Sequence, residues 1–182
     1  MIVDMPKGKM IIYTDGAARG NPGPAGWGAV VLIQEPKVLG KGPEVLHRGN
    51  QKPKREVAAE LGGGEKHATN NQMELTAAIE ALKYAKAKKS DMPLEIYADS
   101  KYVLLGVTEW IKKWVSNGWR TANKKPVLNE KMWRELHALS EELRPSWFYV
   151  EGHSGDTYNE RADEIATAFA DGREGEINLK KP

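Results

Sequence analysis

The sequence predicts an α/β domain in which a mixed β-sheet carries helices on its faces, and three observations support this fold class. Two short runs rich in β-branched residues come first, joined by a segment with glycine and proline, as in an antiparallel strand pair. Segments with helical and strand-like periodicity then alternate, which is typical of a sheet flanked by helices. Apolar residues make up 40% of the 182-residue chain, enough for a sizeable core.

The strands are predicted from short apolar runs that end at turn residues. They cover residues 10–15, 27–33, 94–99 and 147–150. The glycine- and proline-containing cluster at 21–24 marks the turn between the first two. Periodicity weakens over residues 34–68, where the piece 56–61 fits either a short helix or a strand.

The helices are predicted from apolar residues that recur every three to four positions. They cover residues 71–89, 100–105, about 108–117, 129–143 and 159–170. Ser100 is the expected N-cap of the second helix, the third is expected to begin near Thr108, and Asn117-Gly118 is a stop signal. From Gly172 onward we expect a frayed tail.

The composition excludes several kinds of site and location. The chain has no cysteine, which rules out disulfides, thiolate zinc sites and cysteine nucleophiles. Its net charge of +2 gives no argument from total charge for a nucleic-acid partner. Because the sequence shows neither a secretory signal nor a run of about 18 apolar residues, we expect a cytoplasmic protein without membrane contact.

Acidic residues stand where strands end and where helices begin. Asp15 and Asp99 each end an apolar strand, and sites in α/β sheets gather outside the carboxyl ends of strands. Glu74 lies in the first turn of the helix predicted from Asn71, and Asp163 in the first turn of the last predicted helix. Together, four carboxylates would repel one another unless a hard divalent cation such as Mg2+ offset their charge. Singly, each has an ordinary explanation, namely a turn for Asp15, a capping pair with Asn71 for Glu74, and the helix dipole for Asp163.

Five short motifs occur in a fixed order within residues 9–170: Tyr13-Thr-Asp-Gly16, Gly20-Asn-Pro-Gly-Pro24, Thr69-Asn-Asn71 with Met73-Glu-Leu75, Tyr97-Ala-Asp-Ser100, and Gly152-His153 followed by Asn159-Glu-Arg-Ala-Asp163. Together they resemble the motifs of bacterial ribonuclease HI, of the type 1 ribonuclease H family. The resemblance implies a single domain with a ribonuclease H-like fold, a five-stranded mixed sheet with helices on both faces. It also implies a monomeric endonuclease that hydrolyses the RNA strand of RNA–DNA hybrids, leaving 5′-phosphate and 3′-hydroxyl ends.

The resemblance assigns the acids and one histidine to catalysis. Asp15, Glu74, Asp99 and Asp163 match four metal-binding acids that hold two Mg2+ ions, for which Mn2+ may substitute, about 3.5–4 Å apart. One ion activates a water for in-line attack and the other stabilises the leaving 3′ oxygen. His153 matches a loop histidine that moves protons or helps product leave. The remaining histidines match no catalytic position, and they are His47, His67 and His137.

A basic segment between residues 110 and 134 is expected to bind the DNA strand. It carries seven lysines and arginines against one acid, with tryptophans interleaved. The resemblance implies contacts to DNA from Lys112, Lys113, Lys124, Lys125, Trp110 and Trp119. The alternative is a helix pair with buried tryptophans and solvated lysines, which we favour for Trp114 and Trp133.

Asparagines are the residues expected to recognise the hybrid. Their amides both donate and accept hydrogen bonds, as does the 2′-hydroxyl that marks RNA. By resemblance, the minor-groove side is lined by Asn21, Asn70 and Asn71, and a pocket for a DNA phosphate by Thr69 and Asn129. The chain departs from the family pattern with Lys101, where glutamine is frequent, and with His67, where arginine is common.

The segment 34–68 is longer than the corresponding family hairpin. A neutral, flexible insertion is the expectation, and an added substrate-binding surface is the alternative. Three other functions also stay open at this point: a hybrid-binding protein without catalysis, a related nuclease that cuts DNA, and an interaction module. The complete acidic set, the basic segment and the His153 loop favour the hybrid nuclease.

Overall fold

The computed structural model describes residues 8–36 and 53–181. Its strands and helices, in chain order, are β1 Lys9–Ala18, β2 Gly23–Gln34, β3 Arg55–Ala68, α1 Asn70–Ala87, β4 Leu94–Ala98, α2 Lys101–Leu105, a π-helical turn Gly106–Trp110, α3 Ile111–Ser116, α4 Glu130–Leu143, β5 Ser146–Tyr149, α5 Thr157–Ala170 and a 3-10 turn Glu174–Glu176. The sheet order is β3-β2-β1-β4-β5. Since β1–β2 and β2–β3 are antiparallel while β1–β4 and β4–β5 are parallel, the predicted five-stranded mixed sheet is confirmed.

Helices cover both faces of the sheet because β1 is apolar on both sides. Successive strand residues point to opposite faces, and Ile11 and Ile12 are both fully buried. Ile12 belongs to the larger core, with α1 and α4, whereas Ile11 packs with Ile165 of α5. The helices that carry candidate site residues are thus fixed against one central strand. No helix in the described part of the chain is long and apolar enough to cross a membrane.

The second part of the segment 34–68 is the strand β3, so residues 55–68 of the predicted insertion belong to the sheet. Pairing between β3 and β2 runs from Arg55–Gln34 to Ala68–Gly23, so the strand alternative for 56–61 is correct. The glycines at 62–64, a turn signal in the sequence, lie inside β3. A Cβ on Gly62 would come within 2.5 Å of the Phe169 ring, so α5 requires glycine there. Residues 37–52 of the predicted insertion lie outside the described residues.

The prediction of a separate helix from Thr108 is wrong. Residues 101–116 are helical throughout, and Thr108 lies within the π-helical turn, where the Ile111 amide reaches back to the Gly106 carbonyl. Gly106 is a helix-breaking signal in the sequence, but a Cβ there would lie 1.9 Å from the Trp133 ring, so packing requires the glycine and the helix continues through it. Asn117 and Gly118 end the run as predicted, with Gly118 at a φ of 62°.

The expected frayed tail is also wrong, because residues 174–180 form a C-terminal strap against β3 and α5. The Glu60 amide donates to the Lys180 carbonyl (2.8 Å), and the Lys180 amide donates to Glu60 Oε2 (2.9 Å). Arg161 Nη2 donates to the Asn178 carbonyl at 3.1 Å. Ile177 and Leu179 pack on the smaller core. Their alternation of apolar and polar residues is a strand-like signal within an otherwise polar tail.

Candidate active site

The strand register places Asp15 and Asp99 side by side. The last parallel pair between β1 and β4 is Thr14–Ala98, and both aspartates follow it directly. β4 ends there, but β1 continues to Ala18 because it still pairs with β2, so Asp15 lies inside its strand and not at its end. The two carboxylates nevertheless lie on neighbouring chain segments, each one residue beyond the last β1–β4 pair.

Close contact between α1 and β1 brings the third acid to this pair. A Cβ on Gly16 would lie 2.4 Å from the Glu74 amide nitrogen, so the helix rests directly on the strand. One carboxylate oxygen each from Asp15, Glu74 and Asp99 lie within 4.8 Å of one another. Glu74 is 6% exposed and Asp15 likewise 6%, so water screens these charges poorly.

Asp163, the fourth predicted acid, approaches the cluster from α5. The helix begins at Thr157, which puts Asp163 in its second turn and not the first, as the sequence suggested. Asp163 raises the pKa of Asp15 through its charge and a shared hydrogen bond, so the two carboxyls are neighbours. Asp163 is not part of the tight group of three. The structure therefore brings together three acids, with the fourth at their margin.

The electrostatics of the acids call for a cation. Burial first, and then the charges of Asp99 and Asp163, raise the pKa of Asp15 to about 8, although the Gly16 amide donates to it at 2.8 Å. Burial, followed by Asp15 and Asp99, raises the pKa of Glu74 well above its usual range. Glu74 Oε2 is buried and has no hydrogen-bond partner among the described residues. Carboxylate oxygens are the ligands of hard divalent cations, so this donor set fits a divalent metal.

We expect the metal-free protein to lose stability as the pH rises from about 3.8 to about 8. In this window the folded Asp15 keeps its proton while the unfolded chain has released it. The unfolded state then binds fewer protons, so the free energy of unfolding falls with pH until the pH passes the folded pKa. Thermal melts in EDTA would measure this. The Asp15→Asn variant should show a shallower decline, and equal slopes for both proteins would contradict the raised pKa.

His153 lies on the loop after β5, next to a contact with Asp99. A Cβ on Gly152 would lie 2.9 Å from Asp99 Oδ2, so the loop backbone passes directly against this carboxylate. His153 itself is exposed and adopts a left-handed conformation with a φ of 54°. The structure therefore places the loop that carries His153 against Asp99, at the rim of the acidic cluster.

The predicted hybrid-reading asparagines gather beside Glu74. The Asn70 side chain donates to Glu74 Oε1 at 3.5 Å, and the Asn70 amide donates to Asn21 Oδ1 at 3.1 Å. Asn71 follows Asn70 at the start of α1, and all three asparagines are exposed. The acids therefore have a rim of amide groups on the α1 side.

The two residues of the predicted phosphate pocket are linked through Gln72. Thr69 is the N-cap of α1 and forms a reciprocal capping box with Gln72. Gln72 Nε2 donates to Asn129 Oδ1 at 3.4 Å, and Asn129 Nδ2 donates to the Tyr102 hydroxyl at 3.2 Å. Thr69 and Asn129 thus lie near each other, and both also have structural roles.

Trp119 corrects the interpretation of the basic segment. Its side chain is only 8% exposed and belongs to the larger core, so it offers no open ring to DNA. It packs against Trp114, and the Arg134 guanidinium lies 4.4 Å from its ring centroid. Trp133 is fully buried, as favoured from the sequence. Trp110 is half-buried and meets Tyr102 edge-on.

The basic segment presents four exposed lysines on a rigid loop and the helix before it. Lys112 and Lys113 lie on α3, whereas Lys124 and Lys125 lie at the tip of the loop 119–127. A bridge between Arg120 and Pro126 closes this loop. Within residues 8–36 and 53–181, none of the four ammonium groups forms an ion pair, in contrast to Lys9, Lys83 and Lys86. This surface is therefore an unneutralised patch suited to phosphates.

One polar residue that sequence reasoning left without a role touches the acids. Asn159 of α5 is 2% exposed, and its Nδ2 donates to Asp99 Oδ2 at 3.2 Å. Asn159 shares the inward face of α5 with Ala162 and Ala166. A single polar residue on an apolar helix face is a signal that could have marked it.

Comparisons with known proteins agree with this geometry. The family model for RNase H matches residues 7–171. A ribonuclease H from Thermosynechococcus vestitus is 46% identical over 162 residues, which is 89% of this chain and 89% of the relative. The structure of LC9-RNase H1, described as a type 1 RNase H with the type 2 active-site motif, has a TM-score of 0.71 at 27% identity and covers 98% of this chain and 80% of that one. LC11-RNase H1 in complex with an RNA/DNA hybrid has a TM-score of 0.55 at 26% identity, covering 90% of this chain and 98% of that one.

Proposed function

Because this chain belongs to the ribonuclease H family, we propose that it is an endonuclease that hydrolyses the RNA strand of RNA–DNA hybrids, leaving 5′-phosphate and 3′-hydroxyl ends. The observation that carries the proposal is the group of three acidic oxygens within 4.8 Å, one each from Asp15, Glu74 and Asp99. Buried like charges at this distance destabilise the fold. A protein that only bound hybrids would gain nothing from them, whereas a metal-dependent hydrolase requires them.

Asp15, Glu74, Asp99 and Asp163 hold two Mg2+ ions in this proposal, and Mn2+ substitutes for them. The fit is supported by the carboxylate donor set and by the unpartnered Glu74 Oε2. When bound, the cations supply an activated water and stabilise charge on the leaving 3′ oxygen. Asp163 lies outside the group of three oxygens but beside Asp15, so it would complete the ligand set from α5.

The side chains around the acids hold the substrate and move protons. His153, exposed on a loop against Asp99, exchanges protons with the reacting groups or with the departing product. Asn21, Asn70 and Asn71 line the rim beside Glu74, where their amides pair with 2′-hydroxyls of the RNA strand. Duplex DNA has no 2′-hydroxyls to pair with these amides, so the contacts favour binding of a hybrid over binding of duplex DNA.

The DNA strand is gripped at two places away from the acids. Thr69 and Asn129, joined through Gln72, are assigned to one DNA phosphate. The exposed lysines of the basic segment attract further phosphates, and Trp110 is a candidate contact to the DNA backbone. Trp119 belongs to the larger core, so the proposal assigns it a supporting role and no contact to DNA. A monomer that acts in the cytoplasm remains our prediction.

Cleavage of a hybrid labelled on its RNA strand tests the proposed function. With Mg2+ the protein should produce short RNA fragments with 5′-phosphate ends, and EDTA should stop the reaction. Duplex DNA and duplex RNA of the same sequence serve as matched substrates and should stay intact. Hybrid binding without cleavage would favour a non-catalytic binder, and cleavage of duplex DNA would favour a related DNA nuclease.

The lysines of the basic segment are expected to act on binding and little on chemistry. A triple variant, Lys112→Ala with Lys124→Ala and Lys125→Ala, should raise KM and leave kcat near that of the wild type. Each lost phosphate contact should also reduce the log–log salt dependence of binding by at most about 0.9. Steady-state kinetics at several salt concentrations measure both effects.

A second triple variant controls for the loss of positive charge itself. Lys86, at the end of α1 far from the acids, and Lys88 and Lys89, which follow it, are exposed, so their replacement by alanine removes the same formal charge elsewhere. Because Lys86 pairs with Glu142, the Tm of this variant is measured as well. Its KM should change much less. If the two triple variants behave alike, the basic segment is only a solvated face.

A further inference from the structure

Asn159 is a buried polar residue whose contacts fit no ordinary structural role. It lies in the first turn of α5 and is 2% exposed. Its Nδ2 donates to Asp99 Oδ2 at 3.2 Å. Its Oδ1 is buried and has no partner among the described residues. An unpaired buried oxygen lowers stability, so this amide is retained at a cost to the fold.

The helix terminus does not need the Asn159 side chain. Asp156 is the N-cap of α5, and its Oδ1 accepts from the backbone amides of Tyr158 and Asn159. These bonds involve only the backbone of Asn159. An apolar residue of the same shape, such as leucine, would therefore preserve the cap and remove the unpaired oxygen.

The orientation of the amide follows from the charge of Asp99. If the amide were turned by 180°, its oxygen would face the carboxylate, and two acceptors would meet without a proton between them. Keeping the donor on Asp99 therefore leaves Oδ1 unpaired. The unpaired oxygen is a consequence of the contact with Asp99.

Asp99 depends on this contact for its orientation. It follows the end of β4, beyond the last pair of the strand ladder. The bond from Asn159 is the one hydrogen bond that its side chain accepts within residues 8–36 and 53–181. The Gly152 backbone lies against the same oxygen, since a Cβ on Gly152 would be only 2.9 Å from Asp99 Oδ2. Asn159 and the loop backbone thus fix one oxygen of the carboxylate.

We propose that Asn159 is a positioning residue that holds the Asp99 carboxylate ready for the divalent metal. The inference rests on the proposed function, in which Asp99 is a metal ligand. Partners that orient a ligand typically contribute about 10–100-fold to metal affinity or activity. The loss of Asn159 should therefore weaken Mg2+ binding even in the absence of substrate.

The Asn159→Leu variant separates positioning from a structural role. Calorimetric titration with Mg2+ alone should show a dissociation constant raised about 10–100-fold over wild type. Melts in EDTA should show a Tm close to that of wild type, because removal of the unpaired oxygen offsets the loss of the bond to Asp99. A structural role predicts the reverse, a lower Tm with unchanged Mg2+ affinity, and that result would overturn the inference.

Two further variants keep the test decisive. Asn159→Ala removes the same donor without adding bulk, so it replaces the leucine variant if that one does not fold, and it too must bind Mg2+ more weakly. Thr157→Ala, at an exposed position in the same helical turn, is the matched control and should bind like wild type. Unchanged affinity in Asn159→Ala overturns the positioning role alone. A wild-type protein that neither binds Mg2+ nor cleaves hybrids overturns the proposed function and this inference with it.

Discussion

The Asp99→Asn variant is expected to fold normally and to lose nearly all cleavage of an RNA–DNA hybrid. The substitution keeps the shape of the side chain and an oxygen that can accept from Asn159. It removes the charge that the metal site needs. Metal ions contribute several kcal/mol of transition-state stabilisation, so the loss should be on the order of 10³-fold or more.

Stability is the internal control for this variant. Asp99 raises the pKa of both Asp15 and Glu74, so it disfavours their ionised forms. Neutralising it relieves this repulsion, and the Tm in EDTA should equal or exceed that of wild type. Single-turnover cleavage and thermal melts are the two measurements. Near-normal turnover by a correctly folded Asp99→Asn protein would remove Asp99 from the metal site.

The His153→Ala variant is expected to be slow but still dependent on metal. Proton transfer by a positioned side chain typically contributes about 10²–10⁴-fold, and the acids proposed to hold the metal remain intact. Steady-state kcat with and without Mg2+ measures the effect. The change should fall on kcat more than on KM, because the group acts on the reaction and not on the duplex.

Backbone conformation requires a second variant at this position. His153 has a φ of 54°, which asparagine tolerates better than alanine. His153→Asn keeps the loop but cannot take the place of an imidazole in proton transfer, so both variants should be similarly slow. His67→Ala, at an exposed position of β3, is the matched control and should retain kcat. Activity as low as that of Asp99→Asn would show that His153 helps to build the site, and normal activity would make it a solvated loop residue.

The parts of the fold that the sequence predicted are those set by local periodicity. β1, β4 and α1 were recognised from apolar patterns within their own residues, and the structure agrees within a few positions. β3 was recognised only in part, as one of two alternatives for residues 56–61, because its glycines at 62–64 are a turn signal when considered alone. Gly63 faces the Trp27 side chain, and Gly62 is required by the Phe169 ring, more than one hundred positions later in the chain. A local pattern carries no information about that contact.

The site shows the same division between local and long-range information. Asp15 and Asp99 were found because each follows an apolar strand, and the register then places them together. Asn159 was missed as a site residue because its significance depends on one hydrogen bond to a residue 60 positions away. Trp119 was misassigned because only its packing against α4 shows that it is buried. The types of residue were predictable, whereas their burial and partners were not.

The C-terminal strap has a consequence for the order in which a newly synthesised chain matures. β3 lies at one edge of the sheet, and open strand edges invite pairing with other chains. The strap meets this edge at Glu60 through Lys180, which the ribosome adds 120 residues later. All four acids precede the strap in the sequence. A nascent molecule therefore contains all four of these acids before it can shield the edge of its sheet, and we expect unwanted association to be favoured in that interval.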